Sequence, residues 1–188
     1  MFDSIHNFFE QRRRQKDLDK MHMLTVGFVN SVKALAKKDG YASALNSLEV
    51  LVLGAFIVSE VYLGLSRDKT FASSVLDEFH HYGAESLFRS NLPSYKIQFP
   101  AEDVDTIHDQ FASWFYDKTK ERYAEYRSIM LGENGLWRDS SMGHLLDLRK
   151  HLITASTSIE GEPQELMTLP FIMAVVDHLA RCNKSLKH

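Results

Sequence analysis

The chain has 188 residues, 44% of them apolar and 25% charged, which suits one folded domain and argues against intrinsic disorder. A formal net charge of −3 disfavours nucleic acid as the main partner, because duplex binders concentrate positive charge. The single cysteine, Cys182, excludes an internal disulfide and a cysteine-built zinc site, and it points to a reducing, cytoplasmic setting.

Residues Met1 to Asn7 lack the basic-then-apolar pattern of a secretory leader. The first helical segment is expected from Ser4 to about Lys38, with Met21, Leu24, Phe28, Val32 and Leu35 on one face. Gly27 and the polar run Gln11 to Lys20 are expected to break it in two, and Gly40 to end it. Residues 1–20 then form a peripheral amphipathic helix. Phe2, Ile5, Phe8 and Phe9 gather on one side, with Arg12, Arg13, Arg14 and Lys16 behind them. Such a face docks on a protein or lies on an anionic membrane surface.

The second helix is expected from about Ser43, or from an Asn46–Glu49 capping box, to Ser66. Its uninterrupted apolar core, Val50 to Val58, is about half of the ~20 residues a membrane span needs. The expectation is therefore a central bundle helix and no membrane span. A third helix is expected from Asp68 or Thr70 to just before Pro93, with Phe71, Val75, Phe79 and Leu87 inward and Tyr95 to Phe99 briefly extended. The fourth spans about Ala101 to Leu131, entered through Pro100, Glu102 and Asp103, with Val104, Ile107, Phe111, Trp114, Phe115, Tyr126 and Ile129 inward. A fifth is expected over Ser140 to Ser156. The last starts near Pro170 and buries Phe171, Val175, Val176 and Leu179. The sum is an all-α, single-domain bundle of about six mostly antiparallel helices spanning residues 1–188.

Chemistry-bearing groups are sparse. Glu78 and His81 stand at i and i+3, a spacing that ferritin-like bundles use for di-metal ligands, and Asp105 and His108 repeat it with a shorter acid. The order His80 or His81, then His108-Asp109, then Asp177 is similar to that of HD-type metal-dependent phosphohydrolases. That resemblance would imply a divalent metal. His108-Asp109 lacks the apolar-then-glycine surroundings that usually frame the pair. No glycine-rich phosphate loop or nucleophile elbow is present.

Tyr116 and Tyr123 lie among mixed charges on the fourth helix, a pattern for an interface. The reading that needs the fewest coincidences is a non-catalytic module acting through protein contacts or self-association, with no cofactor. A metal-dependent enzyme and a membrane-surface adaptor are the alternatives.

Overall fold

The computed structural model describes residues 2–38, 45–131 and 168–187, and among them the fold is all helical. The described residues form five helices: α1 (Phe2–Lys38), α2 (Ser47–Leu65), α3 (Lys69–Gln98), α4 (Val104–Met130) and α5 (Thr168–Ser185). The helix expected over 140–156 lies outside the described residues, which leaves five where six were expected.

α2 is the axis of the bundle and packs against all four other helices. It is long and apolar enough to cross a membrane, yet most of its residues are buried inside the bundle. Val50, Leu53, Phe56, Ile57 and Val58 are fully enclosed, which removes the largest block of apolar surface from water. Asn46 caps the helix by accepting from the Leu48 and Glu49 amides at 3.2 and 3.3 Å. The expected box is only half made, because Glu49 turns its carboxylate into the core.

Glu49, Ser59 and Tyr62 are the polar residues that α2 carries inward, and each meets a different helix. Glu49 takes Arg122 and Tyr126 from α4, Ser59 meets His80 from α3, and Tyr62 donates to Asp17 of α1 at 2.9 Å. Buried polar groups that find specific partners fix register more sharply than apolar packing does. α1 and α2 run antiparallel: Gly54 lies against Phe28 and Thr25, and Tyr62 against Asp17. A Cβ on Gly54 would sit 2.8 Å from the Phe28 ring, so glycine is required where the two helices approach.

α1 is one continuous helix, against the expected break. Gln, Arg and Lys through its polar run are good helix formers, and α2 and α5 flank it beyond Gly27. α3 begins at the Asp68 cap, whose carboxylate accepts from Phe71 at 3.0 Å. It then runs through Pro93 to Gln98, so the expected stop and the extended Tyr95 to Phe99 are both corrected. Aromatic packing offsets the proline: Tyr95 stacks on Phe88 at 6.0 Å and meets Phe111 of α4 at 5.7 Å.

α4 starts at Val104 behind an Asp103 cap rather than at about Ala101. Val104 and Trp114, expected inward, are exposed, because this half of α4 is lined by α3 alone in its ring contacts. In α5, Val176 is likewise exposed, and the buried set is Phe171, Ile172, Val175, His178 and Cys182, with Leu186 buried just beyond the helix end. His178 stacks on Phe28 at 4.6 Å, with Nε2 3.4 Å from the Gly54 carbonyl. Cys182 is fully buried one turn on, its Sγ 3.8 Å from the His178 ring, and burial pushes its thiol up to about 12.

Candidate functional site

The exposed face of α1 carries a strip of residues at helical spacing: Phe9, Arg12, Arg13, Lys16, Lys20 and Met23. Phe9 is 62% exposed and Met23 77%, unusual values for large apolar side chains. Phe8, also exposed, meets Phe9 edge to face at 5.8 Å. Four cations face two acids, Asp19 and the buried Asp17 that Tyr62 already engages, so the strip is basic within a chain of net charge −3.

The root of the strip is anchored on α3. Arg13 and Arg14 sit over the Phe71 ring at 4.9 and 5.4 Å, and Arg14 also reaches Ser74 at 2.8 Å and Glu78 at 3.3 Å. Arg14 is thus held by the fold, Arg13 rests on Phe71 yet stays exposed, and Arg12 faces solvent.

At Lys20 and Met23 the strip enters a groove of about 470 Å³ between α1 and α5. Gly27 and Ser31 of α1 and Ala174 of α5 keep the groove wide. A Cβ on Gly27 would meet nothing within 4 Å. Arg181 adds a cation, paired with Asp177 at 2.7 Å, and His178 closes the floor. Burial lowers His178 to about 4, so the floor is uncharged at neutral pH. Exposed Val26 and Met173 extend the apolar surface of the same two helices.

The residues singled out for metal chemistry are dispersed. Glu78 is exposed and bound to Arg14, and His81 is exposed. His80 points inward, its Nε2 3.1 Å from the Ser59 hydroxyl and 3.0 Å from that of Tyr123. Burial lowers the His80 imidazole below its ordinary value and holds Tyr123 in its protonated form.

α3 and α4 are antiparallel neighbours, as the metal reading required, but His108 meets Glu85 at 2.8 Å, one turn past His81. Donating to the Glu85 carboxylate raises the His108 pKa, and Glu85 is lowered by its bonds from Arg89 first and His108 second. Asp109 is 3.6 Å from the other His108 nitrogen, Asp105 is exposed in the first turn of α4, and Asp177 lies across the molecule on α5. Among the described residues no three His, Cys, Asp or Glu side chains gather closely enough to hold a metal.

Of the expected interface residues, Phe8, Phe9, Arg12, Arg13 and Tyr116 are exposed. Phe2 and Ile5 open α1, with side chains outside the described set. Tyr123 is corrected: its ring packs on Phe56 at 5.2 Å and its hydroxyl on His80, so it serves the interior. Sequence reasoning missed Lys20, Met23, Gly27 and Arg181. The spacing of the first three was visible, but the groove needs α5, some 150 residues further along the chain. No protein-family model, curated protein or solved structure matches this chain, so the assignment rests on the geometry alone.

Proposed function

We propose that this chain is a non-catalytic adaptor or regulatory module of the cytoplasm that captures an acidic, amphipathic helix of a partner protein along α1. The continuity of the basic strip with the α1–α5 groove carries this reading. A helix laid there would set its apolar face on Phe9, Met23 and the open floor at Gly27, and its acids against Arg12, Arg13, Lys16 and Lys20. Methionine side chains adapt to such a guest because they are unbranched and polarisable. The concavity favours a helix over a bilayer surface, which would need a convex apolar face.

A photo-crosslinking residue at position 23 tests the reading. Adducts should map to an acidic helix and vanish in Gly27→Trp, which fills the groove, and in Arg12→Glu/Arg13→Glu. Absence of adducts together with binding to phosphatidylserine vesicles would replace the protein partner with a membrane surface.

A further inference from the structure

Away from that groove, α1, α2, α3 and α4 meet around a small cavity of about 50 Å³. Its walls are apolar side chains of α2 with Phe79 and Phe115, and among the described residues no Asp, Glu, Lys or Arg lines it. Most of the polar atoms around it are already engaged. Thr25 donates to the Met21 carbonyl at 2.9 Å, and the His80 Nε2 is shared between Ser59 and Tyr123. Two atoms remain: His22 Nε2 and Thr119 Oγ1 are both buried, and neither has a hydrogen-bond partner among the described residues. Both residues line this one cavity. Buried polar atoms are rarely left unmade in folded proteins, and two around a single space call for something between them.

Gly83 adds an independent observation. It lies in the middle of α3 and also lines the cavity, where a Cβ would meet nothing within 4 Å. Glycine is unfavourable in a helix interior relative to alanine, and packing gives no reason for it here. Its effect is to leave the space free.

We infer that this cavity binds one small uncharged molecule, about two to four non-hydrogen atoms in size, that carries an amide or hydroxyl on a short apolar stub. The size follows from comparison with an apolar protein cavity of about 150 Å³, which accommodates benzene. The absence of charge follows from the lining. Desolvation lowers both His22 and His80 below the ordinary imidazole value, which favours their neutral forms. A primary amide meets both orphans at once: its N–H donates to His22 Nε2 and its carbonyl accepts from the Thr119 hydroxyl. The stub then rests on Phe79 and Phe115. This site is independent of the proposed helix-binding surface.

The full chain at pH 7.5 is titrated with acetamide and, separately, with acetate, which has the same size and bears a charge. The His22 imidazole nitrogens and the Thr119 methyl group are followed by NMR. Acetamide is expected to give saturable shifts at both residues, and acetate to bind at least tenfold more weakly. Thr119→Val should weaken acetamide at least tenfold, and Gly83→Leu should abolish its binding, with both variants keeping the wild-type circular dichroism. If Gly83→Leu does not fold, Thr119→Val and Gly83→Ala carry the comparison. A linear, unsaturable response to acetamide overturns the assignment. So does an undiminished response in the cavity-filling variant, or a cavity that holds only water throughout the titration.

Discussion

Tyr126 donates its hydroxyl to Glu49 at 2.8 Å, joining residues 77 positions apart inside the core. Arg122 closes on the same carboxylate at 2.9 and 3.1 Å, and also reaches Glu125 at 3.0 Å. Removing the acid leaves the largely buried guanidinium with Glu125 as its close counter-charge and takes the acceptor from the Tyr126 hydroxyl, so Glu49→Ala is expected to cost about 3 kcal/mol. Tyr126→Phe keeps the ring and loses a bond to a charged acceptor, at about 2 kcal/mol. Urea unfolding with unchanged slope checks both, and losses below about 0.5 kcal/mol would mean that the network contributes little.

Acidification should weaken the fold through His178. Its folded pKa of about 4 lies below the ordinary 6.5, so the unfolded chain takes up the proton first. The stabilisation is whole above pH 6.5, declines as pH falls, and levels off below about 4. Wild type should lose about 2 kcal/mol more than His178→Gln between pH 7.5 and pH 5. Parallel slopes for the two proteins would show that this imidazole is accessible to protons in the folded state.

Two glycines on facing helices should respond oppositely to alanine. Gly54→Ala drives a methyl into the Phe28 ring and is expected to cost about 1–3 kcal/mol. Gly27→Ala enters open groove and should gain up to about 1 kcal/mol of helix propensity. Thermal denaturation of the pair reads the sign directly.

His108 should titrate above 6.5 in an NMR pH series, because the Glu85 carboxylate bonds the charged ring. Glu85→Gln should bring the midpoint back down toward 6.5. An unmoved midpoint would mean that the 2.8 Å contact does not persist in solution.

The central helix was legible because the run from Leu48 to Leu65 is apolar nearly all round but its uninterrupted core is short, a pattern that fits a helix surrounded by its neighbours. Asn46 and Asp68 were legible as caps because their chemistry is local. Pro93 misled because its cost is local while the aromatic contacts that outweigh it come from α4. The same asymmetry hid the site. The basic run Arg12 to Arg14 is written in adjacent letters, whereas the groove at Gly27 is made by a helix distant in sequence. Tyr123 was assigned to the surface on its charged neighbours, and only His80, 43 residues away, shows why it turns inward.

Cys182 gives the protein a built-in reporter of its own opening. The chain has no other cysteine, and this one is sealed and held protonated, so electrophiles must wait for the bundle to part. Its alkylation rate therefore measures how often α5 lifts from α1 and α2. A thiol introduced anywhere on the surface can be labelled selectively in the native protein without altering the original one.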